Sequence, residues 1–215
     1  MAANLERDPE KWKPVFRKIA RPFNEPMPER DLRVQALARA AARLNAGLLA
    51  LMTDDDRLPD PVAAARALPK GSLVIVRSRD VKRRHALGEA LRTQTNGLIL
   101  LAADDPVLAD VLHGLHLPEV RARDAAHWRV VRPHWVITVA AHSPRGLHAP
   151  YADAALLSPV FATKSHPKAK PLMPARARMM VQHASLPVLA LGGVTARNAT
   201  LLRGFSGIAA ITALS

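Results

Sequence analysis

The residues best placed to do chemistry lie in the last third of the chain. Between Ala152 and Ser215, three short apolar runs are each followed by small or hydroxyl residues: Ser158, then Gly192-Gly193, then Thr212. That is the pattern of parallel strands whose C-terminal ends open into ligand-binding loops. No Asp or Glu follows Asp153, whereas the 62 residues from Ala154 to Ser215 carry seven cations: Lys164, Lys168, Lys170, Arg176, Arg178, Arg197 and Arg203. A binding face without negative charge favours an anionic ligand. A Gly pair ahead of a helix lets a phosphate reach backbone N–H groups and a positive helix end. An ordinary strand-to-helix turn is the competing reading of that pair.

Composition narrows the ligand. The 215 residues, 49% hydrophobic and 23% charged, specify a globular chain of one domain or one domain with an extension. No run of 18 apolar residues is present, so no membrane span is expected. The N-terminus shows no apolar signal region, and cytoplasm is the expected compartment. Without cysteine there is no disulfide framework, thiolate metal site or cysteine nucleophile. The net charge of +13 raises nucleic acid as a partner. The cations are spread along the chain without a block, and only eight residues are aromatic, so nucleic acid is disfavoured. A small phosphate-bearing substrate suits the acid-free C-terminus better.

These loops need a scaffold. Residues 1–30 are polar, carry five prolines and read as an irregular arm. A helix capped by Asp31 and ending at Asn45-Ala46-Gly47 follows. From Gly47 on, apolar runs recur at Leu48–Met52, Leu73–Val76, Leu98–Leu101, Gly114–Leu117, Trp135–Ala140, Ala154–Leu157, Val188–Leu191 and Ile208–Ile211. Helix-compatible segments separate most of them, among them Pro61–Leu68, Val81–Thr93, Pro106–Leu112, Ala175–His183 and Ala196–Arg203. The expected fold is an α/β, compact (β/α)₈ TIM-like barrel lacking its last outer helix, with an N-terminal helical extension. A doubly wound open sheet is the runner-up. The expected division is an arm and helix over 1–45 and a barrel over 46–215. The N-terminal helix is expected to cover the seam between the first and eighth strands, and the alternative cover is a second copy of the chain in a homo-oligomer.

With the strands placed, DAALLSPVFATKSHP and PVLALGGVTARNATLL…GIAAITAL resemble the thiamine phosphate synthase/TenI family in order and spacing. GLHLPE at Gly114–Glu119, VITVAAHS at Val136–Ser143 and VIVRSRD at Val74–Asp80 extend the resemblance over roughly Gly47 to Ser215. It implies an enzyme of thiamine biosynthesis acting on a thiazole phosphate. One branch couples it to hydroxymethylpyrimidine diphosphate with Mg²⁺. The TenI-like branch tautomerises the thiazole without a metal. Position by position, the resemblance implies substrate-phosphate binding by Gly192, Gly193, Thr212, Thr163, Ser165, His166, Arg77 and Arg79. In the coupling reaction Lys164 would join the two arginines in stabilising departing pyrophosphate.

The chain also departs from the coupling branch. Leu101-Ala102 stand where an Asn-Asp pair supplies the magnesium carboxylate. Asp104 would replace it only by a two-residue shift, and capping a helix at Pro106 is the competing role. Glu119 only loosely replaces a second carboxylate. Magnesium prefers one or two carboxylates plus substrate phosphates, so these losses count against the metal. They bring the chain closer to the TenI-like branch, whose proton shuttle is a histidine after the fifth strand. His142 stands there, and an imidazole titrating near neutrality suits a proton transfer. A packing role for His142, and a catalytically inactive phosphate-binding or regulatory barrel, are the alternatives.

Overall fold

In the computed structural model, which describes residues 32–163 and 170–214, eight parallel strands close into one barrel in chain order. The order is α1 (Leu32–Ala41), β1 (Leu48–Met52), α2 (Pro61–Arg66), β2 (Leu73–Val76), α3 (Val81–Gln94), β3 (Ile99–Ala103), α4 (Pro106–Ala109), β4 (Gly114–Leu117), α5 (Asp124–Val131), β5 (Val136–Ala141), β6 (Ala154–Leu157), α6 (Pro174–Gln182), β7 (Val188–Ala190) and β8 (Gly207–Ala210). Short 3₁₀ turns fill Glu119–Arg121, Pro144–His148, Asn198–Leu201 and Thr212–Leu214. The barrel expected from the sequence is therefore present, and α5 is an addition to the helices singled out there. The helix expected over Ala196–Arg203 is instead the 3₁₀ turn Asn198–Leu201. Thr195 and Asn198 exchange hydrogen bonds that hold this segment in a tight local turn.

Apart from one polar pair, the strands are apolar because both of their faces are buried. Leu48, Ala50, Met52, Leu73, Ile75, Leu101, Leu156, Leu189 and Ala209 fill the barrel interior. The alternate residues, such as Leu49, Leu51, Val74, Leu115, Val139 and Ile208, meet the outer helices. Asp60, Asp80 and Asp105 cap α2, α3 and α4 by accepting from the N–H groups of Ala63, Arg83 and Leu108 at 2.9, 2.7 and 3.0 Å. The cap ahead of Pro106 is thus Asp105, and the capping role offered to Asp104 is corrected.

Closure joins β1 to β8 over four residues, from Leu48 opposite Gly207 to Leu51 opposite Ala210. The helix α1 lies across this seam. It packs on β1, β8 and the 3₁₀ turns Asn198–Leu201 and Thr212–Leu214, burying Val34, Leu37, Ala38 and Ala41. The N-terminal helix thus occupies the place where an eighth outer helix would lie. Asp31, its expected cap, lies outside the described residues.

One polar pair interrupts the interior. His116 on β4 and Thr138 on β5 are paired in register and hydrogen-bonded from Nδ1 to Oγ1 at 2.9 Å. Burial, reinforced by the nearby Arg77 cation, pushes the His116 pKa down from 6.5 to about 4. The imidazole is therefore neutral in the fold across the physiological range.

Two outcomes follow for stability. Leu37→Ala should cost about 2–5 kcal/mol in urea unfolding, since the side chain is 1% exposed within the outer core. Below pH 6.5 the unfolded chain takes up a proton that folded His116 refuses until about pH 4. Stability should fall across that window by an amount on the order of 3 kcal/mol. His116→Gln should remove this component from unfolding curves measured from neutral pH to about pH 4.

Candidate active site

The C-terminal ends of the strands, where a barrel of this kind holds its chemistry, gather most of the residues singled out in the sequence. Beyond β6 and β7 the chains stay paired. Val160 donates to the Leu191 carbonyl and Phe161 to the Gly192 carbonyl, each at 3.0 Å. This draws the two loops so close that a side chain on Gly193 would collide with the carbonyl oxygen of Ala162. Gly192 and Gly193 also adopt φ of 92° and 64°, a region in which residues with a Cβ are strained. Asn198 fixes the turn, donating from Nδ2 to the Gly193 carbonyl and accepting from the Thr195 N–H, both at 2.8 Å.

The N–H groups of Gly192, Gly193 and Val194 donate to no described residue, which leaves them for a ligand. The donors this loop offers are backbone amides alone. The positive helix end expected beside it is corrected, because the following 3₁₀ turn begins only at Asn198. Thr212 is exposed on the turn directly after β8, next to this loop. Thr163 is half-buried after β6. Lys164, Ser165 and His166 lie outside the described residues.

His142 follows β5 and is exposed at the mouth. Its Nδ1 is 2.9 Å from the Ser158 carbonyl oxygen. A carbonyl can only accept, so Nδ1 is the donor in this contact. Ser158 directly follows β6, so β5, β6 and β7 in sequence link His142 to the Gly192 loop. Two strand spacings, roughly 10 Å, separate them. Glu119 holds the other side of the His142 loop. It accepts from the His142 and Gly146 N–H groups at 3.0 and 3.1 Å and from the Ser143 hydroxyl. Burial raises its pKa, but these three donors outweigh it and leave the carboxyl below its ordinary range.

Across the mouth lies a feature not singled out in the sequence. The run Asp54-Asp55-Asp56 after β1 faces Arg77, Arg79 and Arg83 beyond β2. Asp54 Oδ2 accepts from Arg77 Nη1 at 3.0 Å and from Arg57 Nη2 at 2.6 Å. Its Oδ1 accepts from the Asp56 and Arg57 N–H groups and from Arg57 Nε. The Arg57 hydrogen bond above all holds the Asp54 pKa down at about 2. Thr53 Oγ1 clasps the backbone of Arg77, accepting from its N–H at 2.7 Å and donating to its carbonyl at 2.8 Å. Arg79 pairs with Asp56 at 2.9 Å, with both side chains largely exposed. The signal for this network was available: an acidic run and an Arg-rich run stand at the same ends of neighbouring parallel strands.

The two carboxylates weighed for magnesium do not form a joint site. Asp104 turns out with φ of 50° and pairs with Arg121 at 2.7 Å, while Glu119 is engaged by its three donors. Among the described residues no group of three His, Cys, Asp or Glu is placed to hold a metal ion. Asp104 and Glu119, each held by partners of its own, therefore do not fit magnesium as a pair. No helix among the described residues is long and apolar enough to cross a membrane.

Comparison with known proteins agrees with this architecture. Residues 49–214 match the family model TMP-TENI, described as thiamine monophosphate synthase. A curated protein of Aquifex aeolicus named "Putative thiamine-phosphate synthase 2" is 33% identical over 142 residues, which cover 60% of this chain and 75% of that protein. The solved thiamine phosphate pyrophosphorylase from Pyrococcus furiosus superposes with a TM-score of 0.60 at 22% identity, over 76% of this chain and 85% of its own, and at that identity it speaks to the fold. The chain belongs to the thiamine phosphate synthase/TenI family of thiamine-biosynthesis enzymes.

Proposed function

We propose that this barrel is a thiazole phosphate tautomerase. Its phosphate cradle would be the Gly192–Val194 loop with Thr212, and His142 would move the proton. The single observation that carries the reading is the hydrogen bond from His142 Nδ1 to the Ser158 carbonyl. It supports the reading because it engages Nδ1 and leaves Nε2 for a ligand, with His142 two strands away from the Gly192 loop. Loops after the seventh and eighth strands are the usual phosphate site of such barrels. A phosphate seated there anchors the ligand, so the ring it carries is held rather than merely encountered.

Tautomerisation then needs one base that takes a proton from one carbon of the ligand and returns it to another carbon nearby. His142 Nε2 accepts the proton, and the imidazolium formed keeps Nδ1–H on the Ser158 carbonyl. The same proton is then given back, so charge and atoms balance within the site. Glu119 grips the loop that carries His142 by accepting from the His142 backbone N–H.

Coupling to hydroxymethylpyrimidine diphosphate is the second reading, favoured by the names of the relatives. It calls for diphosphate-binding cations and a metal, and here the carboxylates do not fit magnesium.

The test is turnover and calorimetric binding of the thiazole phosphate carboxylate. His142→Ala should lower kcat by about 10²-fold or more while affinity stays within about twofold, the mark of a group that works on the proton rather than on binding. Gly193→Ala should weaken binding by at least about tenfold, since the added Cβ meets the Ala162 carbonyl and the amides lose their aim. Unchanged turnover in His142→Ala would refute the assignment. Binding without turnover by the wild type would establish the inactive barrel instead.

A further inference from the structure

The mouth of the barrel is electrostatically divided. From Ala154 onward no residue is acidic, and that wall carries the Gly192 cradle. The wall formed by the β1 and β2 loops sets Arg57, Arg77, Arg79 and Arg83 against Asp54, Asp55 and Asp56. We infer that Asp54 is a specificity-determining residue: by occupying Arg77 it keeps diphosphates off this wall, so the barrel accepts ligands bearing a single phosphate. The inference deepens the proposed function and rests on it for the cradle at Gly193.

Three observations support it. First, Asp54 is 6% exposed and both of its oxygens are filled, with Arg77 and Arg57 sharing Oδ2. An anion arriving at Arg77 meets an ion pair rather than a lone cation, and the buried carboxylate repels it through a poorly screened medium. Second, Thr53 clasps the Arg77 backbone on both sides, which fixes the point from which the Arg77 side chain reaches Asp54. Third, protonation offers Asp54 no escape at neutral pH, since its carboxyl titrates at about 2. The pair beside it differs. Arg79 and Asp56 are 76% and 64% exposed, and such a pair opens at little cost. The discrimination is therefore assigned to Asp54 and not to the acidic run as a whole.

The effect of one more phosphate is large in this setting. A monophosphate at the Gly192 cradle keeps its charge on the acid-free wall. A diphosphate brings at least two charges and more length, and the second group has to find donors elsewhere at the mouth. The arginines that would serve it are turned toward Asp54, Asp55 and Asp56.

The experiment is magnesium-free calorimetry of the full chain with inorganic phosphate and with pyrophosphate. Wild type should bind pyrophosphate no more than about threefold tighter than phosphate. Asp54→Asn keeps an acceptor at Oδ1 for the loop N–H groups and removes the charge. It should bind pyrophosphate at least about tenfold tighter, with phosphate affinity within about twofold of wild type. The gain should vanish in Asp54→Asn/Arg77→Gln. It should not appear in Asp110→Asn, which removes the same charge from the exposed pair with Arg132 at the far end of the barrel. A gain in affinity is a readout that structural damage does not produce. A smaller gain in Asp54→Asn, or wild-type preference for pyrophosphate beyond threefold, overturns the inference. The wild-type comparison needs no variant and decides alone if Asp54→Asn does not fold. Failure of phosphate to bind wild type would instead refute the Gly193 cradle, and the pyrophosphate gain of Asp54→Asn would still be read.

Discussion

A parallel sheet with no free edge and no solvated face is the constraint on which the rest of this molecule depends. Pairing β1 with β8 removes the last edge, and every strand residue must then face either the interior or the helices. Apolar side chains satisfy both places, so a buried polar residue needs a partner or a purpose. Most of the buried polar residues here, Thr53, Asp54, Ser78, Asp105, His116 and Thr138, stand at or just below the C-terminal rim. Asp153 is an exception that shows the rule. It lies at the opposite end, where it accepts from the Ile137 N–H at 2.7 Å and pairs with Arg129. The burial that raises its pKa is opposed by those partners. Polarity at the rim binds loops together and leaves donors for a ligand, whereas polarity at the base only holds the fold.

The rim itself is built in two manners. Around β6 and β7 the chain is tied through its backbone, with glycine permitting an approach that a side chain would block. Around β1 and β2 it is tied through charge, with carboxylates and guanidinium groups matched loop to loop. The first manner leaves amide donors unspent, and the second spends nearly all of its cations on internal partners. His142 sits between these regimes. A carbonyl accepts from its ring, and a carboxylate grips its loop.

Much of this was legible in the sequence, for reasons that can be located. Eight apolar runs at short intervals are a direct imprint of strands buried on both faces, and they gave the barrel. The Gly192-Gly193 pair was legible because its conformation excludes other residues. The cover of the seam by α1 followed from the barrel itself, since an uncovered β8 would expose an apolar face. What escaped was long-range and polar. The Asp54–Arg77 pair spans 23 positions in the chain, and periodicity carries no record of which charged loops meet. Whether His142 presents Nδ1 or Nε2 depends on a carbonyl 16 positions away, and no residue type encodes that. The turn Asn198–Leu201 reads as helix by composition, and it tightened because Thr195 and Asn198 satisfy one another locally.

The position of α1 also dictates an order of events when the chain is made. Val34, Leu37 and Ala41 emerge from the ribosome well before their resting place on β8 and on the Thr212–Leu214 turn. Until then the helix has nothing to pack on, and a short helix alone in water is marginal. Bringing the two ends of the barrel together pays the entropy of closing nearly the whole chain. Native contacts of such separation slow folding and make it cooperative. The barrel thus cannot settle strand by strand as it is released: α1 acts as a clasp that fastens only once both ends of the sheet exist.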